Sequence, residues 1–280
     1  MKINIVCEDD GWIYGKFVEM FKKYSNHTIL VNSKEQCDAV HYLPYYLVPK
    51  RPEKPCTSWQ SHMETKDPLK AKFLSAARDV DIPISHSKKY ADILKKTGIE
   101  HAKQIIPGVD LEIYKQRSAM RPVSKKLIVG YSGRQYQSSN RKNPKLLKKI
   151  SELSFVDFKA TNGEVKQKDM PEFYANCDIV VQPSSIEGGS MAIQESLAVG
   201  VPILCFKGVG VADEFSHGVI KVPFGNNEDF ISRLEVIWKT KSYLTWREAG
   251  RMNLMRQQVK NQTWERFVRL HDRTWEMICK

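Results

Sequence analysis

A chain of 280 residues that is 41% hydrophobic and 27% charged can bury one large core or two compact ones, and its composition is not that of a disordered protein. No apolar run approaches the roughly 18 residues of a membrane span, and the start at Met1–Val6 reads as a strand rather than a signal peptide. The net charge of +12 is uneven: residues 1–120 hold 19 basic against 15 acidic residues and residues 121–280 hold 25 against 17, with nine basic and no acidic residues over 121–150. Such a block attracts polyanions.

In the first half, short apolar runs predict strands at Lys2–Cys7, Thr28–Val31, Ala39–Leu43, Ile82–Ser85 and Gln104–Ile106. Helical spacing appears over Ile13–Tyr24, Pro68–Arg78 and Ser87–Lys96. Pro44, Pro49, Pro52 and Pro55 argue for a surface loop, and the polar stretch Lys115–Ser124 for a linker. The same rhythm then restarts. Strands are expected at Lys126–Ser132, Phe155–Ala160, Asp178–Gln182 and Pro202–Phe206, with helices from Pro144 to Ile150, over Met170–Asn176 and over Ser190–Val199. From Asn226 the pattern is helical almost to the end, anchored by Trp238, Trp246, Trp264 and Trp275. Two β/α units with mostly parallel sheets account for this order. Six scattered cysteines, most in or beside apolar segments and none in a Cys-x-x-Cys pair, read as buried free thiols and a cytoplasmic setting.

Chemistry concentrates at Glu187-Gly188-Gly189-Ser190-Met191-Ala192-Ile193-Gln194-Glu195. An apolar strand and Pro183-Ser184-Ser185 precede it, and a helix follows. Bare glycines at a helix start expose unpaired N–H groups and the positive end of the helix dipole, which suits a phosphate. Helical side chains lean toward the N-terminus, so Glu195 can reach the same ligand from behind. A diphosphate flanked by two carboxylates is what a nucleotide-sugar site requires.

These residues resemble the GT-B glycosyltransferases of family 4. The likeness rests on the Glu-x7-Glu helix followed by Gly200-Val201-Pro202, on Ile106-Pro107-Gly108-Val109-Asp110, on Gly130-Tyr131-Ser132-Gly133-Arg134 with Lys142, and on Tyr174-Ala175-Asn176-Cys177-Asp178. It covers about residues 100–225 well and the first hundred loosely. The resemblance implies an α/β fold of GT-B type, two Rossmann-like domains facing a central cleft. They would be an acceptor-side domain over 1–118, a nucleotide-sugar domain over 119–260, and a C-terminal helix over 261–280 packing back toward the first. It further implies that Arg134 and Lys142 neutralise the diphosphate, a task suited to a bidentate guanidinium. Glu187 would face the donor sugar, Glu195 would bind the ribose, and Gly133, Gly188, Gly189 and the N–H groups of Ser190 and Met191 would complete the donor site. His62 would approach the sugar from the first domain, with Gly11, Trp12 and Tyr14 on the acceptor side.

Other motifs fail. Asp79-Val80-Asp81 follows a helix rather than a strand and reads as a turn, and no His/Cys/Asp group has zinc spacing, so no metal and no cofactor is called for. The expected activity is a retaining transfer from a nucleoside-diphosphate sugar, UDP-sugar favoured over GDP-sugar, to a hydroxyl acceptor. The first domain is short for the family and the chain is basic. Both favour a polyanionic acceptor, hydroxylated bases in DNA, over the alternative of a glycan or lipid at a membrane surface. An alternative of another class is a non-catalytic nucleotide- or nucleic-acid-binding protein. The oligomeric state is not legible.

Overall fold

A computed structural model of the chain describes residues 1–8, 13–50, 52, 55–65, 68–118, 123–134 and 140–280. The chain divides into two compact units, residues 1–108 with 262–280, and residues 109–261.

The first unit holds β1 (Lys2–Cys7), β2 (Thr28–Val31), β3 (Ala39–Leu43), β4 (Cys56–Gln60), β5 (Ile82–Ser85) and the short β6 (Lys103–Gln104). They form one sheet in the order β2-β1-β3-β4-β5-β6, with every neighbouring pair parallel. Helices α1 (Ile13–Tyr24), α2 (Leu69–Arg78), α3 (Lys88–Lys96) and the C-terminal α9 (Trp264–Ile278) belong to the same unit. Strand alternation sorts the side chains by face. His41 is paired in register with Thr57, and these two with Trp59 meet Phe17 and Phe21 of α1 and Phe267, His271 and Trp275 of α9. Tyr42 and Cys56 cluster instead with Phe73 and Ala76 of α2 and with Tyr90 and Leu94 of α3. Gly108 permits a close crossing, because a Cβ there would lie 2.2 Å from the backbone nitrogen of Trp264.

Two features of this unit differ from expectation. Strand β4 was not legible from its apolar pattern, since Thr57, Ser58 and Gln60 are polar, yet all five of its residues are buried at the middle of the sheet. The proline-rich stretch is not all surface loop: Tyr45 and Val48 are buried, and the Tyr45 ring meets Phe73 edge-on at 5.2 Å.

The second unit holds β7 (Leu127–Tyr131), β8 (Val156–Ala160), β9 (Ile179–Gln182), β10 (Ile203–Phe206) and β11 (Val219–Val222), again all parallel, in the order β11-β10-β9-β7-β8. Its helices are α4 (Pro144–Ser151), α5 (Met170–Ala175), α6 (Met191–Val199), α7 (Asn227–Lys239) and α8 (Ala249–Val259). Helix α4 starts where the Asn143-Pro144 pair predicts, with the Asn143 side chain accepting from the Leu146 amide. Strand β11 escaped the sequence reading; it is a four-residue edge strand whose residue pattern alternates only weakly. Residues 109–118 pack in this unit. Val109 and Tyr114 join its core, the Arg117 amide bonds the Val199 carbonyl at 2.9 Å, and the Arg117 side chain reaches the Cys177 carbonyl at 2.7 Å.

Chain direction sets where a ligand would sit. From β7 the chain crosses to β8 on one side and then returns to β9 on the other, so the loops after β7 and β9 diverge from neighbouring strand ends. Open parallel sheets bind ligands at that switch point, beyond the carboxyl ends of the strands. All six cysteines are free thiols, with Cys56, Cys177 and Cys205 buried and Cys7, Cys37 and Cys279 half-buried. No described helix is long and apolar enough to cross a membrane.

Candidate active site

Strand β9 runs Ile-Val-Val-Gln and every residue of it is buried. Pro183 ends it, because proline lacks the N–H that the ladder needs. The following loop enters α6 at Ser190, whose extended backbone (φ −79°, ψ 110°) makes it the N-cap while its hydroxyl makes no cap bond. Ala192 through Val199 are all buried, so the helix is fixed on every side. Gly200 ends it in the left-handed conformation (φ 83°), with a backbone bond from the Gly200 amide to the Leu197 carbonyl. The first-turn amides of α6 thus stand on a rigid helix beside the carboxyl end of the central strand.

Within this loop the side chain of Glu187 is nearly buried and forms an ion pair with Lys142, itself 15% exposed. The Gln182 amide donates to the same carboxylate oxygen at 3.0 Å and to the Ser184 hydroxyl at 2.8 Å. Lys142 comes from a 3-10 turn, Asn140–Lys142, that is tied to the β9 loop: the Ser185 amide and hydroxyl both donate to the Arg141 carbonyl, at 2.8 and 3.2 Å. Burial alone would push the Glu187 carboxyl up. The charges of Lys142 and Arg141, with hydrogen bonds from Lys142 and Ser184, outweigh it and hold the group below its ordinary value. Gly210 (φ 58°) closes against this residue, and a Cβ there would stand 3.1 Å from the Glu187 Cβ.

Glu195 lies in α6, a turn and a half further in, and has different company. It accepts from the Tyr174 hydroxyl at 2.7 Å and from Gln167 at 3.3 Å, and Gln167 also donates to the Tyr114 hydroxyl at 2.6 Å. Burial pushes its carboxyl up, and hydrogen bonds from Tyr174, Tyr114 and Gln167 offset this only in part. Burial, followed by the neighbouring Glu195 charge, holds both phenols protonated. The two carboxylates of one motif are therefore pulled in opposite directions by their surroundings.

Gly133 and Arg134 follow β7, which lies beside β9. The Gly133 amide donates to the Thr161 hydroxyl at 3.2 Å. The exposed Arg134 side chain lies over Gly163 in the turn after β8, where a Cβ would come within 2.6 Å of the arginine Cγ. A glycine with φ 81° at that turn gives the arginine its seat.

Of the residues singled out from sequence, Lys142 and Glu187 are in contact, and Gly188, Gly189, Ser190 and Met191 share their loop and helix start. Arg134 stands at the neighbouring strand end, and Glu195 belongs to the separate tyrosine network. His62 follows β4 in the first unit, with Ser61 Oγ and Glu64 Oε1 each 3.2 Å from its ring nitrogens. Tyr14 is half-buried in α1, while Gly11 and Trp12 lie outside the described residues. Sequence reasoning missed Gln182, Gln167, Tyr114 and Gly163. Gln182 had a signal, a polar residue ending an otherwise apolar strand; the others are recognisable only by contact.

Comparison with known proteins bears on this geometry. The family described as glycosyl transferases group 1 matches residues 91–252, more than half of the chain. No curated protein matches the sequence. Among solved structures, HepE from Anabaena in complex with UDP and glucose superposes with a TM-score of 0.74 at 13% identity, covering 99% of this chain and 100% of that one. A glycosyltransferase from Rickettsia africae gives 0.67 at 14%, covering 100% and 98%. Sucrose-phosphate synthase from Thermosynechococcus elongatus gives 0.64 at 14%, covering 95% and 78%. At such identities these structures show the shared GT-B fold, and the family match adds the activity class, which sets aside a non-catalytic binding protein. The chain belongs to the glycosyl transferases group 1 family and is a glycosyltransferase of GT-B fold.

Proposed function

We propose that the enzyme moves a sugar from a nucleoside-diphosphate sugar, with UDP-sugar the favoured donor, and that residues 187–195 with Arg134 and Lys142 form its donor site. The buried Lys142–Glu187 pair beside the glycine-led start of α6 carries this reading. An ammonium has three N–H donors and Glu187 takes one, so Lys142 can bind a β-phosphate while it remains paired. As the bond from C1 to the diphosphate oxygen breaks, that oxygen leaves with the electron pair. Lys142, Arg134 and the α6 amides stabilise the charge it gains. The acceptor hydroxyl oxygen then bonds C1 with retention, an expectation from the family resemblance, as its proton passes to the departing diphosphate. Glu187 orients the sugar, and Glu195 takes the ribose. Structures of HepE hold UDP with glucose and UDP-glucose, which supports uridine as the base.

For the acceptor, the basic excess favours DNA carrying hydroxylated bases. Exposed lysines on α3 (Lys88, Lys89, Lys95 and Lys96) and on α4 (Lys145, Lys148 and Lys149) supply the charge. Tyr90, Ala91 and Leu94 of α3 are occupied by the core, so this helix has no apolar face left to insert into a bilayer, and the membrane alternative is weakened. The test is mass spectrometry after incubation with a panel of UDP-, GDP- and ADP-sugars, alone and with hydroxymethylated DNA. Transfer to that DNA and its abolition in folded R134A and E187A are expected. Near-normal turnover in both variants would reject the donor site, and DNA affinity unaffected by salt would reject the acceptor.

A further inference from the structure

Gln182 carries an unused acceptor. It ends the central strand β9 and is 2% exposed. Its amide nitrogen is committed to Ser184 and Glu187. That assignment leaves Oε1 unused: it is buried and has no hydrogen-bond partner among the described residues. A buried carbonyl left unsatisfied is costly, and a strand interior that only needed packing would be served by another valine or isoleucine. The amide's neighbours explain its presence. It shares the Glu187 oxygen with Lys142, at the sheet's switch point and immediately before the glycine-led start of α6.

We infer that Gln182 is a donor-recognition residue with two duties: Nε2 fixes the Glu187 carboxylate beside Lys142, and Oε1 accepts a hydrogen bond from one hydroxyl of the transferred sugar. This rests on the donor site proposed above. The chemical consequence is selectivity. A site with a buried acceptor rejects an analogue that lacks the matching hydroxyl, because the acceptor then stays unpaired. An aliphatic residue at 182 would be indifferent to that loss.

The experiment measures kcat/KM for donor hydrolysis with the nucleotide sugar that the wild-type enzyme hydrolyses fastest in the panel, UDP-glucose being expected, and with each of its monodeoxy analogues. Wild type and Q182M, which is close to isosteric, are compared, with Q182E as a second variant that keeps an acceptor oxygen at the same place. Wild type is expected to lose about tenfold on one analogue relative to the parent sugar, Q182M to lose nothing on that analogue, and Q182E to retain the discrimination at a lower rate. Loss of the same factor by wild type and Q182M on every analogue overturns the inference and assigns the vacant acceptor to water. The donor site itself fails in a different way, when E187A retains hydrolysis. If Q182M does not fold, Q182E alone decides: absence of discrimination in a folded Q182E enzyme also overturns it.

Discussion

Both units bury titratable groups, but to different ends. In the first, His41 and His271 sit with ring centroids 5.4 Å apart among Phe21, Phe267 and Trp275, while the Trp275 indole and His41 Nδ1 both meet the Thr57 hydroxyl, at 3.0 and 2.7 Å. Burial drives His271 down to about 3 and His41 well below its ordinary value, so both are neutral and act as packing. In the second unit, Glu187 is buried but kept charged by Lys142, and Glu195 is buried within a ring of hydroxyl and amide donors. Burial alone is thus no mark of function. What separates the clusters is whether the protein keeps a charge where desolvation opposes it, and whether the group stands at a strand's carboxyl end.

The largest expected effect breaks the first cluster with acid. A histidine whose folded value lies below its unfolded one contributes stability that is complete above about pH 6.5 and is lost as pH falls toward the folded value. For His271, with a folded value of about 3, the loss reaches on the order of 5 kcal/mol once the pH is below that value. Urea midpoints from pH 7 to pH 4 should fall for wild type, and the slope should flatten in H271Q; equal slopes would show that the pair does not govern acid stability. Next, K142M strands the Glu187 carboxylate and should destabilise the second unit by about 3 kcal/mol at neutral pH. The depressed Glu187 contributes its stability above the unfolded carboxylate value and loses it as pH falls through the folded one. The penalty should therefore shrink toward acid, as read by denaturation at pH 7 and pH 4.

The smallest effect sharpens the contrast within the motif. Y174F removes a donor from Glu195 and should cost about 1–2 kcal/mol. Glu195 is raised in the folded state, so its favourable contribution belongs to the protonated form, present below the unfolded value and lost as pH rises through the folded one. Loss of the Tyr174 donor raises Glu195 further, so the Y174F penalty should be larger at pH 8 than at pH 4, the same direction as K142M. It should set in at higher pH, because Glu195 is raised and Glu187 lowered. Penalties that set in at the same pH, read from urea midpoints between pH 4 and pH 8, would show that the two carboxylates share one environment.

Much of this was readable in advance where one physical rule acted alone. Strands β1, β2, β3 and β5 and helix α1 have the bounds that hydrophobic period predicts, and Asn143-Pro144 starts α4 because cap chemistry is local. Strand β4 was illegible because its polar Thr57 is accommodated by partners distant in the chain, Trp275 and His41. In the site, the glycines and carboxylates of 187–195 were visible as a motif. The neighbours that set their charge states were not, since Lys142 is 45 residues from Glu187 and Tyr174 is 21 from Glu195.

The order of residues by itself determined the two-fold β/α rhythm, the helix start at Ser190 and the placement of acids around it, because each depends on backbone preferences over a few neighbours. Tertiary structure decided which acid stays charged, which amide is left with a vacant acceptor, and that the C-terminal helix completes the first unit. Desolvation and Coulomb interactions act through space, and only the folded chain sets the distances they depend on.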